Sequence, residues 1–141
     1  MSDWKKVFAT QEEAQQLSWG PWRGSYFPGV ALPSSKARDK WVLLRFKDQY
    51  TCAQVADHGP WDVNDDDEYV FGSARPLAEI YKGKIIPGVP LPTLPDGTVV
   101  RQSNGAGIDL FPYVVDALKI PHGMNVMVEW KFIEADALER I

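Results

Sequence analysis

One cysteine and two histidines are present in 141 residues. Cys52 cannot close an intramolecular disulfide, and a single thiol with two distant imidazoles has no zinc spacing. No metal and no cofactor is expected. No stretch approaches the ~20 apolar residues of a spanning helix, and the opening MSDWKKVFATQEEAQQLSW lacks the apolar core of a signal peptide. The chain is expected to be made in the cytoplasm without a leader and to insert into no membrane. An excess of positive charge is missing too. The 15 Lys and Arg are scattered among 19 Asp and Glu for a net charge of −4, whereas a nucleic-acid partner requires a clustered basic face. There is no internal repeat, no low-complexity linker and no Gly-rich phosphate loop behind a strand.

Hydrophobic residues at 45% and charged residues at 24% are globular proportions, and the length suits one domain with a real core. Aromatic residues include six Trp. Trp19, Trp22 and Trp61 stand beside Gly or Pro in loop-like stretches, where each either packs under the loop or offers a flat platform to a sugar ring. Cys52 lies in an alternating apolar-polar run and reads as a packed thiol.

Thr10-Gln11-Glu12-Glu13 matches a capping box and predicts a short helix over 11–17. After the loop-rich WGPWRGSYFPGVALPSS, the runs WVLLRF and YTCAQVA flank a Lys47-Asp48-Gln49 turn and predict a hairpin, with Val42, Leu44 and Phe46 on one face. Residues 62–106 are irregular. They begin with acidic DVNDDDE, allow a short helix ending at Gly83, and turn proline-rich before the Asp96-Gly97 tight turn. The acidic run has calcium-like spacing at Asp62, Asn64 and Asp66. However, Asp67 stands where the loop needs Gly and Ser73 where it needs a bidentate Glu, so a solvated loop is expected. Gly107 to Leu118 predicts a strand end turning into a short helix with Pro112 in its first turn, and Val126, Val128, Trp130 and Phe132 share one face of a final strand. Short strands without long amphipathic helices predict a mainly β domain closed into a small barrel.

The hairpin delivers the chain into Asp57-His58-Gly59-Pro60-Trp61. This Asp-x-Gly-Pro-aromatic stretch is followed by Ile108-Asp109-Leu110, a short Ala- and Leu-containing helix, a Gly turn at His122-Gly123-Met124 and a Val-rich strand over 126–133. Together with the upstream Ala31-Leu32-Pro33, that order resembles the double-psi β-barrel of the rare lipoprotein A and expansin group. The resemblance implies a six-stranded barrel built from 30–61 and 107–133, an extension of helix and loop over 1–29, and an insertion over 62–106. It further implies a peptidoglycan glycan strand as partner, with lytic transglycosylase chemistry in some members. Asp109 would do acid/base work with Asp57 beside it, and Trp61, His58 and Trp22 would contact substrate.

The residue types suit that chemistry, because breaking a glycosidic bond takes a carboxylic acid with a raised pKa and a second carboxylate to stabilise developing positive charge. The chain departs from the pattern where family transglycosylases carry a His before the Leu-Pro element, having Pro28-Gly29-Val30-Ala31 there, and it carries His58 where Arg is common. A catalytically silent barrel serving as a structural piece of a phage tail or virion, docking partners through 62–106, therefore stands as the alternative. A phage particle or a secretion system would carry either form without a leader. Simpler roles also stand open: Asp109 as a cap for the following helix, Asp57 in an Asx turn, and His58 and His122 as surface histidines.

Overall fold

The expected hairpin forms the most extensive pairing of the sheet. β3 (Trp41–Phe46) runs antiparallel to β4 (Gln49–His58), with Phe46 opposite Gln49 and Trp41 opposite Gln54. The turn between them is tight, and Lys47 takes the left-handed dihedral it needs (φ 55°). Alternation sends Val42 and Leu44 to the buried side and leaves Trp41, Leu43 and Arg45 half-buried. The structure, a computed structural model, describes residues 4–12, 19, 21, 23–24, 26–61, 63–89, 93, 96–99 and 102–134.

β1 (Lys5–Gln11), β2 (Gly29–Leu32), β5 (Ala106–Leu110) and β6 (Val126–Ile133) join this hairpin in a closed six-stranded barrel of order β1-β5-β2-β4-β3-β6. The sheet is mixed. β1 pairs in parallel with β5, β2 pairs in parallel with β4, and the other four pairings are antiparallel. Exchanging β1 with β4, β2 with β5 and β3 with β6 leaves every neighbour and every strand direction unchanged. The connectivity thus has an internal two-fold relation that the amino-acid sequence does not display as a repeat.

So narrow a barrel is filled by side chains. Val7, Ala9, Val30, Leu32, Val42, Leu44, Val55, Ile108, Leu110, Val128 and Trp130 form one buried cluster, and α2 (Pro112–Ala117) adds Val114 and Val115 to it. Pro112 sits in the first turn of α2, where a missing amide costs little. The expected strand-to-helix passage and the inward face of β6 are both present, with Val126 and Phe132 half-buried at the edge of the core.

The N-terminal expectation is corrected. Thr10 and Gln11 end a strand rather than open a helix, while Glu13 to Leu17 lie outside the described residues. The period-two pattern of KKVFATQ buries Val7 and Ala9, and β1 is paired on both sides, by β5 and β6. Two ladders of backbone hydrogen bonds outweigh one local capping motif. The extension assigned to 1–29 therefore contains one of the six barrel strands.

Within the insertion, Asp66–Val70 forms one π-helical turn and α1 (Leu77–Ile80) a single α-turn. The acidic run serves local structure: Asn64 Oδ1 accepts from the Ser35 amide (2.8 Å), and buried Asp65 accepts from the Leu77 amide (2.7 Å). Asp62 lies outside the described residues. Tyr69 fastens the insertion to the barrel. Its hydroxyl donates to the Gly107 carbonyl (2.8 Å) and accepts from Trp130 Nε1 (3.0 Å), with all three groups buried. Tyr69→Phe leaves a buried carbonyl and a buried indole N–H unpaired, so a loss of about 2 kcal/mol is expected as a lower urea midpoint at unchanged slope. An unchanged midpoint would show that this bond does not hold the insertion down.

Candidate functional site

Ala31 of β2 lies opposite Asp57 of β4 on one side and opposite Asp109 of β5 on the other. Thr10 of β1 lies opposite Asp109 in turn. Directly opposed residues project to the same face of a sheet with Cβ atoms ~5 Å apart. Thr10, Asp109, Ala31 and Asp57 therefore form a row across four strands, and only the Ala31 methyl stands between the two carboxylates. Register matters to this row. The β2–β4 pairing slips by one residue between Val30 and Ala31, passing over Ala56, and brings Asp57 opposite Ala31.

Asp109 is held at one oxygen and packed against the backbone at the other. Thr10 Oγ1 donates to Oδ1. Oδ2 lies over Gly59, where an added Cβ would stand 3.3 Å from it. Gly59 of the Gly-Pro break thus allows the carboxylate to approach the backbone, apart from any turn it makes. Phe111 occupies the N-cap position of α2 and no side chain caps the helix, so the capping role considered for Asp109 is not the one it plays. Asp57 lies inside β4 and is 4% exposed, so it belongs to the sheet rather than to an Asx turn.

A third carboxyl completes the group. Glu12 follows β1 directly, with its amide donating to the Leu110 carbonyl (2.9 Å), and its side chain hydrogen-bonds Asp57. Two carboxyl groups can share a hydrogen bond only if one carries a proton. Burial, the bond to Asp57 and the charges of Asp109 and Asp57 push the Glu12 carboxyl up to about 9. Burial also raises Asp109 to about 6, with Asp57 adding to the rise and the Thr10 hydrogen bond opposing it. At neutral pH the cluster therefore holds a protonated Glu12 beside an Asp109 that titrates close to neutrality, which is the combination acid/base chemistry uses. Beside Glu12 a recess of about 70 Å³ opens between Leu110, Pro112, Val115 and Gly123.

Gln11 shapes its rim. Its side chain donates to the Pro121 and Met124 carbonyls (2.9 Å each) and accepts from the Gly123 amide (2.9 Å). His122 lies in that turn, exposed and 2.7 Å from Asp116.

The aromatic candidates are placed elsewhere. Trp61 is 7% exposed and packs with Ala78 and Ile86 in a small core of the insertion, so it is no open wall for a sugar. Strand alternation turns His58 away from Asp57. Its Nε2 donates to the Val63 carbonyl (2.9 Å), and its ring stacks on Trp19 (6.1 Å, 21°). Trp22 lies outside the described residues. Cys52 is half-buried opposite Leu43, and burial raises its thiol, the reverse of nucleophile activation.

Among the described residues, no three His, Cys, Asp or Glu side chains are placed to hold a metal ion, and no helix is long and apolar enough to cross a membrane. No protein-family model and no curated protein sequence matches the chain.

Glu12 and Asp109 keep protons in the folded chain at pH values where the unfolded chain has released them. The folded state therefore binds more protons than the unfolded one between about pH 4 and about pH 9, and stability falls as pH rises through that window. Thermal melts of the parent should show this fall. In Glu12→Gln the upper part, above about pH 7, should flatten; parallel curves for parent and variant would remove Glu12 from the cluster's titration.

Proposed function

We propose that this chain is a double-psi barrel of the rare lipoprotein A and expansin type that binds cell-wall glycan and cleaves it at the Glu12, Asp57 and Asp109 cluster. The observation that carries the proposal is the row Thr10, Asp109, Ala31, Asp57, which sets the Asp of Ile-Asp-Leu across one methyl from the Asp of the Asp-x-Gly-Pro stretch. The two-fold pairing pattern, with its two parallel pairs, supports the barrel type.

Asp109 acts as the acid and then as the base. Its proton passes to the glycosidic oxygen as the bond from that oxygen to the anomeric carbon breaks. A hydroxyl of the same sugar then closes on the anomeric carbon, and its proton returns to Asp109. No water is consumed. Asp57 stabilises the oxocarbenium-like centre, Thr10 orients Asp109, and the Glu12 proton limits the negative charge gathered in one place.

One observation favours a second reading, a catalytically silent barrel in a larger assembly. The 70 Å³ recess beside Glu12 is well below the ~300 Å³ at which ligand pockets begin. In that case the insertion, with Ile80, Ile85 and Val99 exposed, is the docking segment. Purified sacculi separate the two. Asp109→Asn is expected to release soluble glycan at least ~100-fold more slowly than the parent while still sedimenting with the sacculi. A parent that neither releases glycan nor sediments would sink the glycan proposal and leave the assembly role.

A further inference from the structure

At the other end of β1 from Glu12, roughly 20 Å along the strand, lies a larger opening. The start of β1, the end of β6 and residues 69–76 of the insertion enclose a cleft of about 570 Å³. That volume is within the ~300–1,000 Å³ range of small-molecule sites.

Its wall is built in advance. Lys5 Nζ donates to the Gly72 carbonyl (2.5 Å) and fixes the insertion against β1. Gly72 is required there, since an added Cβ would stand 2.2 Å from the Asp67 carbonyl oxygen. Tyr69, bonded into the barrel core, anchors the same segment.

The lining combines two kinds of group. Arg75 and Lys5 bring positive charge, and no Asp or Glu is among the lining residues, although the chain as a whole is acidic; Lys6 and Lys131 alternate to the other face of β1 and β6, where Lys6 lies opposite Glu129. Arg75 is largely exposed and only loosely paired with Glu79 (3.7 Å). That pair is not a buried one that would have to be broken on binding. The second kind is a stack of rings. Phe132 packs edge-on against Trp130 (5.1 Å, 90°) and face-on against Phe71 (5.1 Å, 12°). Phe71, the outermost ring, is 43% exposed, which leaves it able to take a further ring.

We propose that this cleft binds a small anion carrying a planar ring, the ring extending the Phe132 and Phe71 stack and the anionic group meeting Arg75 and Lys5. A nucleoside monophosphate is the simplest member of that class. The site is separate from the carboxylate cluster and does not depend on what that cluster does.

Calorimetric titration of the full chain with adenosine 5′-monophosphate, adenosine and inorganic phosphate tests this. The monophosphate is expected to bind at least ~10-fold more tightly than either part, and more weakly as salt is raised. Arg75→Gln should weaken it by about tenfold, the effect of one charged contact. Phe71→Leu, which keeps an apolar side chain, should bring its affinity down towards that of phosphate. Thermal melts confirm that both variants are folded. Equal affinity for the monophosphate and phosphate, or two folded variants that bind as the parent does, would overturn the proposal.

Discussion

Barrel closure runs through β2, a strand of four residues with all four buried. It is the neighbour of both β4 and β5 and so joins the half of the sheet containing the hairpin to the half containing β1. Paired on both edges, it has no open backbone for another chain to extend. The same double pairing places Asp57 and Asp109 on one face with Ala31 between them. Fold and site thus rest on one short strand, and a side chain larger than alanine at position 31 would separate the two carboxylates.

The cluster answers a cost the fold creates. Bringing three carboxyls together out of water penalises charge, and the proteins that do so hold one or more of them neutral. Here the proton rests mainly with Glu12, while Thr10 compensates Asp109 by hydrogen bonding. The result is two groups of one chemical type with different proton affinities, set apart by their surroundings alone.

The insertion is part of the same construction. Tyr69 ties it into the barrel core, and Trp61, Ala78 and Ile86 give it a small core of its own. Because it is packed rather than loose, it forms one wall of the cleft beside β1. The tryptophan of the Asp-x-Gly-Pro stretch is taken up by this packing, which is why an aromatic next to a candidate catalytic loop does not face the carboxylates.

Much of the barrel was legible because its strands carry their pattern locally. WVLLRF and YTCAQVA alternate on either side of a polar turn, Pro112 marks a helix start, and the last strand lines up Val126, Val128, Trp130 and Phe132. Asp57 and Asp109 each lie in a short recognisable stretch, and the structure sets both opposite Ala31. β1 and Glu12 were not legible. Thr-Gln-Glu-Glu has the form of a helix cap, and the competing alternation of KKVFATQ becomes decisive only when β5 and β6 pair with it. By itself, then, the sequence determined the strand periods, the turns and the acidity of individual residues, all of which are properties of neighbours in the chain. The tertiary structure alone decided that β1 closes the barrel, that Trp61 is buried, and that Glu12 lies against Asp57. Those outcomes depend on contacts between residues tens of positions apart, which no local pattern encodes.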